Sequence, residues 1–107
     1  MHWARSRVQL DTILRHGDMA TLGGDPARAA QAWTDAGFDD AAADAWLSAR
    51  CFDPQAARAL DDLGVTAAQA TKRTRDGRRD YPDTIAYKVA SGDLSPRQGA
   101  ARAASSR

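Results

Sequence analysis

Glutamate and asparagine are missing altogether from the 107 residues, and lysine occurs only at Lys72 and Lys88. Aspartate must therefore supply every acidic side chain, and helix caps fall to Asp, Ser and Thr. A single cysteine, Cys51, excludes an intramolecular disulfide framework and a multi-cysteine zinc site; His2 and His16 are the only imidazoles that could assist it. No stretch approaches the roughly 20 apolar residues of a membrane helix. Met1 to Arg7 carries charge with no apolar run after it, so it does not read as a secretory signal. A cytoplasmic protein is the expectation.

Large apolar side chains are also scarce. The hydrophobic fraction is 43%, but 24 of those residues are alanine and only 22 are larger. Each large side chain contributes about 1.5–3 kcal/mol when fully buried, against a backbone ordering cost of about 1–2 kcal/mol per residue. The core is expected to be thin, and a protein partner or a homodimer would help it.

What is present is alanine, arginine and aspartate, unevenly distributed. Residues 31–66 hold seven Asp against Arg50 and Arg58, a balance of −5; residues 67–107 hold nine Lys or Arg against four Asp, a balance of +5. Such asymmetry suits two partners of opposite charge, or a basic half that meets nucleic acid.

Glycine, proline and aspartate recur at short intervals, which predicts a single all-α domain over 1–107: a compact array of six or seven short helices with Gly and Asp-Pro turns. Residues 1–24 form an N-terminal helix and a short element, 25–76 a repeat core, and 77–107 basic C-terminal helices. The first helix is predicted from Trp3 to His16, with Trp3, Leu10, Ile13 and Leu14 on its inner face and Gly17 closing it. Asp25-Pro26 reads as an N-cap followed by proline at the first helical position.

Three stretches then superpose: Ala30-Gln31-Ala32-Trp33 to Gly37-Phe38-Asp39, Ala43-Asp44-Ala45-Trp46 to Cys51-Phe52-Asp53-Pro54, and Ala57-Arg58-Ala59-Leu60 to Gly64-Val65-Thr66. The period is 13 or 14 residues. With Gly37 left-handed just past the helix, Phe38 should touch Trp33, and Val65 should touch Leu60. Cys51 is expected at the glycine position of the second unit. Phe38, Phe52 and Val65 also precede the next N-cap, where each can staple the following helix.

A weaker fourth unit, shifted by one, runs through Val89, Gly92 and Leu94 to Ser95-Pro96, after a helix from Thr84 to Ser91. The segment from Pro96 to Arg107 lacks large apolar residues and is expected to pack weakly and fray.

No catalytic constellation stands out, so the chain is read as a non-enzyme without cofactor or metal. His16 suits the C-terminal end of its helix dipole, and Cys51 reads as a filled turn position, although neighbouring Arg50 could lower its pKa. Asp39-Asp40 should cap and meet solvent. Asp35, Asp61 and Asp62 fall in the last turns of their helices, where the dipole disfavours negative charge. They are candidate docking residues for a basic surface, as is Trp3 near the terminus. The first reading is a non-enzymatic binding or regulatory protein in which the helices from Pro26 to Ala70 dock a protein partner.

Three resemblances attach to these residues. The segment from Pro54 to Leu63, Gly64-Val65-Thr66, then Ala67 to Arg75 resembles a helix-turn-helix, with Leu60 where that family carries a small residue and Arg73 where it carries an apolar one. The resemblance implies that Ala67, Ala68 and Gln69 face the major groove, with Gln69 reading a base edge and Lys72, Arg73 and Arg75 on phosphates. Arg78 and Arg79 would extend sequence-independent phosphate contact, giving a small DNA-binding regulator as the alternative. Ala36-Gly37-Phe38, with Ala43, Leu47 and Ala57, resembles the loop and helix spacing of ubiquitin-associated domains, which implies a three-helix peptide-binding module. The repeated Trp, Gly-Phe-Asp and Asp-Pro units are similar to short tandem helical units of small proteins from high-GC bacteria, phages and plasmids.

Overall fold

The structure is a computed structural model and describes residues 7–71 and 84–104. Those residues form an all-α array: α1 (Leu10–Arg15), a 3₁₀ turn (Asp18–Ala20), α2 (Pro26–Asp35), α3 (Asp40–Ser48), α4 (Pro54–Asp62), α5 (Ala67–Ala70), α6 (Ile85–Ser91) and α7 (Pro96–Ala104). Helices this short are marginal alone, so their ends and mutual packing decide the fold.

The caps follow the sequence. The Asp25 carboxylate accepts from the N–H groups of Ala27 and Arg28, Asp39 from Ala42, and Asp53 from Gln55. Thr66 with Gln69 and Ser95 with Gln98 each form a reciprocal capping box.

Three helices close by the same device. The Phe38 N–H donates to the Trp33 carbonyl at 3.2 Å and that of Gly37 to Thr34 at 3.0 Å; Val65 and Gly64 bond Leu60 and Asp61 in the same way, each at 3.0 Å. These are Schellman closures with a left-handed glycine, φ 96° at Gly37 and 84° at Gly64. In the second unit the left-handed residue is Arg50, φ 71°. Cys51 is the following residue, buried, with its N–H on the Trp46 carbonyl at 3.0 Å. The expected glycine-to-cysteine equivalence is thus off by one: counting four from Trp46, as from Trp33, reaches Arg50. The closing and stapling roles that Phe38 fills alone are split here between Cys51 and Phe52, which adds a residue to the turn and accounts for the 14-residue spacing from Asp39 to Asp53. The fourth closure carries the expected shift, with Leu94 rather than Asp93 bonding the Lys88 carbonyl, at 3.1 Å.

The core contains Trp33, Phe38, Trp46, Leu47, Leu60, Val65, Ile85 and Val89, with alanines between them. Phe38 stands edge-on to Trp33 and to Trp46, with ring centroids at 5.2 and 6.5 Å. The buried indole N–H of Trp33 has no hydrogen-bond partner among the described residues, a cost of about 1–3 kcal/mol that the packing of its ring must offset.

Two expectations are corrected. The first helix begins at Leu10, after Arg7 to Gln9, and its inner residues are Thr12 and Ile13, while Leu10 and Leu14 are exposed. Asp40 of α3 sets this rotation by accepting from the Gln9 N–H at 2.9 Å and the Thr12 hydroxyl at 2.6 Å. The final helix, Pro96–Ala104, is closely packed, not loose; the fraying expected at Ser105 to Arg107 lies outside the described residues. Gly99 lies so near α6 that a Cβ there would stand 2.6 Å from Val89 Cγ2 and 3.3 Å from Ile85 Cγ2, and Ala103 is buried too. Small residues take the place of large ones by letting backbones approach.

Candidate docking surfaces

Arg58 organises the acidic edge. Its guanidinium pairs with Asp62 on the same helix at 3.0 Å and reaches the Ala36 carbonyl, at the end of α2, at 3.5 Å. The contact ties α4 to the C-terminal end of α2, where Asp35 stands in the last turn; Asp61 and Asp62 stand in the last turn of α4. Asp35 accepts from the Gln31 side chain at 2.8 Å. Asp61 is exposed, and its carboxylate has no hydrogen-bond or ion-pair partner among the described residues. Of these three carboxylates, Asp62 finds its balancing charge within the chain, from Arg58. Both helix ends add the partial negative charge of their carbonyls.

Shallow grooves among the described residues indent the surface, two of them bordered by apolar side chains. One, of about 230 Å³, is lined by Met19, Phe52, Asp53, Tyr87, Ala90 and Ser91; Phe52 meets Tyr87 edge to face, centroids 6.4 Å apart. The other, of about 210 Å³, lies between α1 and α2, with Val8 and Leu10 facing Ala27 and Ala30.

The groups examined for chemistry are committed to structure. His16 Nε2 lies 2.7 Å from an Asp44 carboxylate oxygen, which Arg15 also approaches at 3.6 Å. Cys51 is fully buried, and desolvation pushes its thiol up to about 12 despite a contact with the Asp53 carbonyl. The expected help from Arg50 does not operate, because burial governs this thiol. Asp40 does more than cap and solvate: hydrogen bonds from Gln9 and Thr12 hold its pKa below the ordinary 3.8. Among the described residues no group of His, Cys and Asp could hold a metal ion, and no helix is long and apolar enough to cross a membrane.

In the helix-turn-helix segment, α4, the turn and α5 (Ala67–Ala70) form as expected as far as Thr71, whose hydroxyl donates to the Ala67 carbonyl at 2.9 Å; the rest of the expected second helix, to Arg75, lies outside the described residues. Gln69 spends its amide oxygen on the Thr66 N–H at 2.9 Å. Lys72, Arg73, Arg75, Arg78, Arg79 and Trp3 lie outside the described residues. Thr84, expected at the start of its helix, has a second role that no local pattern signals: its buried hydroxyl caps α6 and donates to the Ala49 carbonyl at 2.6 Å, tying α6 to the end of α3.

Comparison with protein-family models, curated proteins and solved structures finds no match for this chain.

Proposed function

We propose that this chain is a non-enzymatic binding protein whose acidic edge docks a basic protein surface. The observation that carries the reading is the double engagement of Arg58, which links the end of α2, with Asp35 in its last turn, to α4, with Asp61 and Asp62 in its own. Carboxylates at helix C-termini each cost about 0.3–1 kcal/mol, and a cationic partner removes that cost on binding. The burial of Cys51 supports binding over nucleophilic catalysis by its thiol.

Anisotropy of a labelled lysine- and arginine-rich peptide, titrated with the protein across a salt series, tests this. The native chain should bind with an affinity that falls with salt, and a D35N/D61N/D62N variant should bind at least about tenfold more weakly, the equivalent of roughly 1.4 kcal/mol, while unfolding at a higher temperature. Equal binding by both proteins sinks the reading.

A second reading, a small DNA-binding regulator with a helix-turn-helix at 54–75, is favoured by the closed turn between α4 and α5 and by the +5 balance of residues 67–107. Gel-shift titration across salt separates the two. A regulator binds DNA with a steep salt slope that R73A/R75A flattens; no shift at low salt removes this reading.

A further inference from the structure

The outer face of α1 is amphipathic. At 100° per residue, Leu10, Leu14, Asp11 and Arg15 occupy a continuous arc of about 140°, opposite the buried Thr12 and Ile13. Leu10 and Leu14 are 46% and 54% exposed. The arc has two edges. The leucine edge borders the groove that Leu10 shares with Ala27 and Ala30 of α2; the charged edge lies toward α3, where Thr12 bonds Asp40 and Arg15 approaches Asp44.

We infer that α1 is a self-association face on which a second copy of the chain packs antiparallel. The pattern is complementary to itself in one arrangement. A two-fold axis across the helix, in the plane of contact, keeps each edge on its own side and reverses chain direction. Leucine edge then meets leucine edge, with Leu10 against Leu14 of the second copy, and Asp11 meets Arg15 of the second copy. The same operation repeats both contacts, so each pairing occurs twice. A parallel pair would lay the leucine edge on the charged edge. Charge complementarity therefore selects both the partner, another copy of this chain, and its direction. The groove beside Leu10 gives the incoming Leu14 somewhere to sit. With one short helix at its centre the interface falls below the roughly 1,200 Å² of standard complexes, so association is weak and concentration-dependent. It uses none of the carboxylates of the acidic edge, and either proposal can fail without the other.

Sedimentation velocity on the full chain, from low to high micromolar protein, is the test. The native chain should move from monomer toward dimer. Asp11→Arg and Arg15→Asp, each folded by circular dichroism, should each remain monomeric. An equimolar mixture of the two should recover the dimer, because the arginine introduced in the first variant then meets the aspartate introduced in the second, while the native pair forms on the opposite side. Leu14→Ser, at a side chain more than half exposed, should abolish the dimer while the variant stays folded by circular dichroism, and decides the matter alone if Arg15→Asp does not fold. A chain that stays monomeric throughout overturns the proposal, showing that this face is covered by the chain's own first residues or by a different protein. A dimer indifferent to Leu14→Ser also overturns it.

Discussion

Phe38 stands edge-on to Trp33, ring centroids 5.2 Å apart and planes inclined at 63°, while its own N–H closes the helix on the Trp33 carbonyl. One residue thus ends α2 by a backbone bond, fills the core with its ring and sets the approach of α3. Truncating it removes all but the backbone bond. Phe38→Ala should cost about 3–5 kcal/mol, much of the about 5–15 kcal/mol that a domain has in total. Urea unfolding followed by tryptophan fluorescence gives the value directly; a loss under about 1 kcal/mol would deny the ring its place in the core.

Arg50 holds the left-handed position that glycine holds at Gly37 and Gly64. A non-glycine residue in this region carries a penalty of about 1–2 kcal/mol, from which glycine's greater unfolded freedom subtracts about 0.5–1 kcal/mol. Arg50→Gly should therefore stabilise the protein, by up to about 1.5 kcal/mol, and raise its melting temperature. Arg50→Val, β-branched at positive φ, should lower it.

The same turn marks where sequence reading succeeds and stops. Closures at Gly37 and Gly64 and caps at Asp25, Asp39 and Asp53 were legible because each depends on a few adjacent residues. Arg50 was not, since its backbone is forced by the closure around it and arginine carries no signal for it. Leu10 and Leu14 have the spacing of a buried stripe, yet Asp40, about 30 residues away in sequence, turns Thr12 inward instead. The acidic residues of the candidate edge could be picked out as helix-end carboxylates. The contact that links their two helices, Arg58 on the Ala36 carbonyl, is non-local and could not.

Gly99 offers a test whose sign is diagnostic. Alanine is favoured over glycine inside a helix by about 1 kcal/mol, so propensity alone predicts that Gly99→Ala stabilises α7. The added Cβ would stand 2.6 Å from Val89 Cγ2, and overpacking of this kind costs about 1–3 kcal/mol. The variant should melt below the native protein. A higher melting temperature would mean that α7 is not seated against α6 as described.

Asp40 couples α1 to pH. Its folded pKa lies below the ordinary 3.8, chiefly through the hydrogen bond from the Gln9 N–H and then that from Thr12. The folded state therefore binds a proton less readily than the unfolded chain, so this contribution to stability is complete above the unfolded value and is lost as pH falls through the folded one. Stability should decline below about pH 4, and Asp40→Asn should flatten that decline while lowering stability at neutral pH. Denaturant unfolding at a series of pH values from neutral to strongly acid checks both. An acid limb as steep in Asp40→Asn as in the native protein would assign it to other carboxylates.

Cys51 turns the burial of the second turn into a reporter of the whole fold. Its side chain is fully buried, its N–H closes α3 on the Trp46 carbonyl, and desolvation holds the thiol near 12. An aromatic disulfide reagent needs both access and a thiolate, and at mildly alkaline pH the native state supplies neither. Labelling should then proceed only through opened molecules, in proportion to their equilibrium population when reclosing is fast. Added urea should raise the rate in step with the unfolding constant measured by fluorescence, and Phe38→Ala should accelerate it by the factor its stability loss predicts. Labelling at the rate of an unfolded peptide in native buffer would show that Cys51 is open to solvent. A rate independent of both urea and Phe38→Ala would show that the second turn opens locally while the rest of the array stays closed.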